Sequence, residues 1–169
     1  HERIAHLTRT SIPSGSAVSE TTWLPSGAEP HAIRERVFRE RMTAAGLPPF
    51  VVGTDGEEED AHDDTVDLLA SRRPPTAIFA GNDLLAIGAM RAIAEAGLGP
   101  QDVSVVGYDD ITIASHPLVS LTSVDQSGSL IGQEAVRLLL ERIAGRTEAV
   151  QLQTDVTLQV RRSTTVPRR

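Results

Sequence analysis

The sequence predicts an α/β protein built on a parallel sheet with helices on both faces. Thr76 to Ala80 and Val103 to Gly107 are apolar runs without polar alternation, as expected of strands covered on both sides. Between them, Leu84 to Ala96 reads as a single helix, so the three segments form a strand, helix, strand unit whose strands run the same way. An earlier helix stops at Gly46-Leu47-Pro48 much as this one stops at Gly97-Leu98-Gly99-Pro100, and a short apolar strand, Phe50 to Gly53, follows it too. In both stops the glycine accepts a left-handed turn and the proline prevents continuation.

Taken in order, Arg3 to Leu7 is the first predicted strand. Thr8 to Gly27 is rich in Ser, Thr, Pro and Gly, has neither helical nor strand period, and is predicted to be loop. It carries Trp23, the one tryptophan, which either packs on its own scaffold or offers a stacking surface at the ligand edge. Pro30 suits the first turn of a helix whose apolar seam is Ile33, Val37, Phe38, Met42 and Ala45. The acidic run Asp55 to Asp64 then opens a helix that reaches Ala70. Carboxylates beside His62 suggest a metal, but the spacing does not fit a calcium loop and acidic residues suit a helix N-terminus by themselves, so no metal is expected.

Gly81 ends the central strand, and Asn82 and Asp83 offer side-chain oxygens as caps for the next helix. On that helix Leu85, Ala89, Ala92 and Ala96 make one face, while Leu84, Ile87, Gly88 and Met90 make a second apolar surface, so two packing partners are expected. Ile111 to Ser120 is a predicted loop over the ligand edge, with His116 exposed in it as the only histidine near the pocket. Leu121 to Val124 is a crossing strand and Gln126 to Ala144 a long helix closed by Gly145. Val150 to Gln153 and Thr157 to Arg162 are the last predicted strands, before a frayed tail over Val166 to Arg169.

Composition removes several chemistries. At 40% hydrophobic and 3% aromatic the chain can bury a core, but an aliphatic one. Absence of cysteine excludes disulfides, thiolate metal sites and cysteine nucleophiles, and absence of lysine excludes a P-loop or Schiff-base lysine. A formal charge of -7 opposes direct gripping of DNA by this segment. No apolar run reaches membrane-spanning length and no signal peptide is visible.

Parallel strands joined through a helix present their C-terminal ends on one edge, which in open α/β sheets is where small ligands bind. Asn82 and Asp109 are therefore expected side by side there, an amide and a carboxylate suited to holding hydroxyls. Neither brings a nucleophile or a general base, and adjacent Asp109 and Asp110 point to opposite faces, so no enzyme and no cofactor are expected.

With its spacing kept, the run AGNDLLAIGAMRAIAEAGL, followed by DVSVVGYDD and LTSVDQ, resembles the effector-binding domain of LacI/GalR-type transcriptional regulators, and the closing LQVRRSTT resembles the repressor branch. Periplasmic sugar-binding proteins share the fold and a looser form of the motif. The resemblance implies a periplasmic-binding-protein-like (flavodoxin-like) subdomain over residues 1–124, a hinge-crossing helix over 125–149 that would pack on an N-terminal subdomain outside this chain, and returning strands and tail over 150–169. It also implies that Arg34 binds effector oxygens, for which a guanidinium's fixed fork of donors is suited, and that Asp110 is a carboxylate that supports the binding residues from behind or sits on the hinge side. The protein it implies is a cytoplasmic repressor that binds a saccharide-like effector through Arg34, Asn82, Asp109 and Trp23. It would pair as a homodimer through the second face of the helix after Asn82, and read operator DNA through a helix-turn-helix outside this chain. The alternative is a solute-binding protein of a sugar transporter.

Overall fold

The computed structural model describes residues 1–9, 30–54 and 57–167. Trp23 and most of the predicted first loop lie outside the described residues. The elements alternate as the apolar runs require: β1 (Ile4–Arg9), α1 (Pro30–Ala44), β2 (Phe50–Thr54), α2 (Glu58–Ala70), β3 (Ala77–Ala80), α3 (Asp83–Glu95), β4 (Ser104–Tyr108), β5 (Thr122–Asp125), α4 (Gly128–Ile143) and β6 (Thr157–Gln159). The sheet order is β2-β1-β3-β4-β5-β6, parallel except for the β5 and β6 pair, which is antiparallel.

The two faces of the sheet are filled differently. Ala5, Leu7, Ile78 and Val105 point to the side where Ala61, Leu68, Leu85 and Ala89 of α2 and α3 are buried, and this is the aliphatic core. The other face takes His6, Phe79 and Tyr108, covered by α1 through Phe38 and Arg34. Met42 is the one residue of α1 that is buried.

Three sequence expectations are corrected. β1 runs past Leu7 through Thr8 and Arg9, because both pair in register with Gly53 and Thr54 of β2. No strand forms over Val150 to Gln153, where Val150 and Leu152 are each about half exposed and pair with no strand among the described residues. The second apolar face of α3 is in part covered within the chain. Gly88 sits so close to α2 that a Cβ there would come 2.1 Å from the Glu58 carbonyl oxygen. Leu84, 44% exposed, remains uncovered.

Candidate functional site

The C-terminal ends of β1, β3 and β4 deliver polar groups to one edge, as parallel connection dictates. Asn82, extended at φ -154° and ψ 176°, is the N-cap of α3: its Oδ1 accepts from the Leu85 N–H at 2.9 Å. That leaves its amide N–H donors without a hydrogen bond among the described residues. Asp109 follows β4 with φ 107°, a conformation few non-glycine residues adopt, and its N–H is tied to the Val124 carbonyl at 2.9 Å. Its Oδ1 accepts from Gln126 Nε2 at 2.7 Å. Partial burial raises the Asp109 carboxyl above the usual carboxylate range, opposed by the Arg34 charge and reinforced by Asp83.

Arg34 lies one turn into α1, with its guanidinium carbon 4.4 Å from the centroid of the Tyr108 ring. The stack holds the guanidinium without an ion pair among the described residues, and its Nε is buried with no hydrogen-bond partner. His31, one turn earlier on α1, packs over Gly81: a Cβ there would meet the imidazole Nδ1 at 3.0 Å. Arg34, Asn82 and Asp109 each keep part of their surface open to solvent, so the edge is an open half-site.

A buried network fixes the backbone of this edge. The Asp110 N–H donates to Ser123 Oγ at 3.1 Å, Ser123 donates to Asp83 Oδ1 at 2.5 Å, and the Ile111 N–H donates to Asp83 Oδ2 at 2.8 Å. The Asp110 carboxylate turns the other way and receives Arg161 through both Nη atoms, at 2.5 and 3.1 Å. Asp109 and Asp110 thus address different partners, one at the open edge and one on the returning chain.

His116 stands exposed after the 3-10 turn Thr112–Ser115 and accepts from the Leu118 N–H at 3.2 Å. It is not the sole histidine of the region, since His31 covers Gly81 and His6 lies beneath α1 against Phe38. Sequence reasoning missed His6, His31, Tyr108 and Gln126. The alternation of β1 places His6 beside Phe79 and the end of β4 places Tyr108 on the same face, a signal available once the register is known. Glu59, His62 and Asp63 bring ligand-type atoms within 4.8 Å of one another, but both His62 nitrogens are already bonded, to Asp63 at 2.8 Å and Glu95 at 2.9 Å. An apolar hollow of about 140 Å³ between α3 and the start of β4 has no convergent polar side chains and lies away from this edge.

A model of the periplasmic binding protein-like domain matches residues 1–164. The HTH-type transcriptional repressor PurR of Haemophilus influenzae is 39% identical over 118 residues, covering 68% of this chain and 35% of the repressor. The chain therefore spans about a third of the length of that curated relative. A structure of the transcriptional regulator CelR in complex with cellobiose superposes with a TM-score of 0.74 at 34% identity, over 96% of this chain and 47% of that one. The lac repressor dimer bound to operator and the anti-inducer ONPF gives a TM-score of 0.77 at 30% identity, over 97% of this chain and 53% of that one. With a helix-capping amide, a turn-strained carboxylate and a stacked guanidinium brought to the ligand edge of a parallel sheet, the chain belongs to the periplasmic-binding-protein-like family, in the effector-binding domain of LacI/GalR-type regulators.

Proposed function

We propose that this chain is the effector-sensing part of a cytoplasmic repressor, and that Arg34, Asn82 and Asp109 hold a small polyhydroxylated molecule, with Trp23 as a candidate stacking contact. The observation that carries the reading is the set of unspent hydrogen-bonding groups at one edge: the Asn82 amide donors, the Arg34 Nε and the second oxygen of Asp109. A hydroxyl both donates and accepts, so it answers an amide, a guanidinium and a carboxylate together. Nothing in the set activates water or a nucleophile, and the relatives are regulators, which supports a binding role without catalysis.

The other half of the cleft is assigned to a subdomain outside this chain, on which α4 packs. None of the α4 residues is buried here, and Val136, Leu139, Leu140 and Ile143 are all more than half exposed. Closure of the two halves about β5 and the returning strand would change the spacing of paired DNA-reading heads and so operator affinity, through differential effector binding to the two states. Homodimer contact is assigned to the uncovered part of α3 around Leu84, supported by the dimeric lac repressor.

The test is a thermal-shift screen of the intact regulator against saccharides and nucleosides, because a ligand bound only by the folded state raises the melting temperature by mass action. A saccharide shift of several degrees that Asp109→Ala abolishes is expected. A response to a free nucleobase with none to any saccharide or nucleoside would overturn the polyol assignment, and light scattering showing a monomer at micromolar concentration would overturn the dimer.

A further inference from the structure

Strand β1 carries two polar side chains on the face covered by α1, at the alternate positions His6 and Thr8. His6 is fully buried and Thr8 is 2% exposed. His6 Nδ1 lies 2.8 Å from the Phe79 carbonyl oxygen, and a carbonyl can only accept, so the proton sits on Nδ1 and Nε2 presents a lone pair. The ring is held between Phe79, 4.8 Å away and stacked, and Phe38 at 5.1 Å. Among the described residues, His6 Nε2 has no hydrogen-bond partner, nor has the Thr8 hydroxyl, nor has Arg34 Nε on α1, whose guanidinium lies over Tyr108 at the end of β4 on the same side of the sheet. Desolvation lowers the imidazole pKa, which keeps Nε2 free of a proton at neutral pH; the charged and titratable neighbours are Glu35, Arg34 and His31 of α1.

Buried polar atoms without partners are uncommon, because each forfeits its hydration. Here an acceptor and a hydroxyl on one face of β1, and a donor on the helix that covers that face, are left unpartnered among the described residues, and Thr8 lies on the side of His6 nearer the edge where Asn82 and Asp109 stand. We propose that Thr8 is a specificity-determining residue of the effector site, its hydroxyl, with His6 Nε2 behind it on the same face of β1, receiving one hydroxyl group of the effector. The inference rests on the effector reading above and adds to it the inner wall of the site and the group that wall selects. A deoxy analogue lacking that hydroxyl leaves the same atoms unsatisfied and is rejected.

The test uses the intact regulator with D-ribose, cellobiose and a panel of other saccharides as probes, comparing wild type, Asp109→Ala and the near-isosteric Thr8→Val. Thr8→Val removes a hydroxyl that has no partner among the described residues, so the unliganded melting temperature is expected to stay level or rise, while the affinity for the responding saccharide falls about tenfold. A purely structural hydroxyl gives the reverse pattern: a lowered melting temperature without ligand and unchanged affinity, which overturns the inference. If Asp109→Ala loses the saccharide and Thr8→Val binds it as wild type does, the effector reading stands and this one falls. If no saccharide shifts the wild type, both fall. Should Thr8→Val fail to fold, Thr8→Ser, which retains the hydroxyl, must restore both stability and affinity for the inference to stand.

Discussion

Asp83 is the charge on which the backbone of the ligand edge depends. It is 1% exposed, and its two oxygens take the Ser123 hydroxyl and the Ile111 N–H. Gly107 makes the space: a Cβ there would stand 2.2 Å from Asp83 Oδ1. Asp83→Ala should strip partners from two buried donors and cost roughly 2–4 kcal/mol, measured by chemical denaturation. Asp83→Asn can still accept from Ile111 and donate to Ser123, so it should cost about half as much or less. Burial holds the Asp83 carboxyl above its usual range, so between the ordinary value and the raised one the folded state keeps a proton that the unfolded chain has lost. Stability contributed by this group is therefore present at acid pH and lost as pH rises through the raised value, and Asp83→Asn should flatten that slope. From the sequence, Asn82 and Asp83 were equivalent capping candidates. The structure separates them: the residue just outside the first turn caps, and the first helical residue turns its carboxylate inward. Likewise Thr8 is loop in a reading that ends β1 at Leu7, so its buried hydroxyl was illegible until the pairing with Gly53 was known.

At the scale of elements, the pairing of α2 with α3 is the closest helix contact, made possible by Gly88 and by Ala89 and Ala92 on the neighbouring faces. Small residues at the crossing let two backbones approach, and a backbone carbonyl cannot move aside as a side chain can. Gly88→Ala should therefore separate the helices despite its better helix propensity, and lower stability by about 2–3 kcal/mol in a thermal or urea melt. The same crossing is tied by His62, which bridges to Glu95 of α3, and by Arg91 of α3, which reaches Glu59 at 2.8 Å. The hydrogen bonds that the imidazole donates to Glu95 and then Asp63 hold the His62 pKa above its ordinary value. That contribution is fully present below the ordinary imidazole value and disappears as pH rises through the raised one, so His62→Gln should reduce the loss of stability on moving from mildly acidic to mildly alkaline buffer. The alternation of strands and helices was legible in the sequence, since apolar runs, glycine stops and prolines are local signals. The partner of each helix face was not, because an apolar stripe records that it is covered and not by what. The second face of α3 illustrates this, shared between α2 at Gly88 and solvent at Leu84.

Across the whole molecule the aliphatic core ends with α2, α3 and the five parallel strands, and α4 stands outside it. Sixteen residues make a helix of marginal stability in water unless a tertiary surface covers its apolar stripe. That stripe is amphipathic in sequence yet uncovered here, from Leu130, 47% exposed, to Ile143, 74% exposed. What anchors α4 locally is small: the Ser127 hydroxyl donates to the Asp155 carbonyl at 2.9 Å, and Arg146 donates to the Leu138 carbonyl at 3.0 Å, with exposed Arg137 pairs to Glu134 and Glu141 adding little. Opening α4 should therefore be nearly independent of the core. In native-state hydrogen exchange on this chain alone, the amides of α3 and β4 should exchange only through global unfolding, while those of α4 show protection of about tenfold or less. In the intact regulator the same α4 amides should rise toward the protection of α3, because the stripe then has a surface to bury. Equal protection of α3 and α4 in the isolated chain would mean that α4 is held by the described core after all, and the assignment of its partner to a second subdomain would fail.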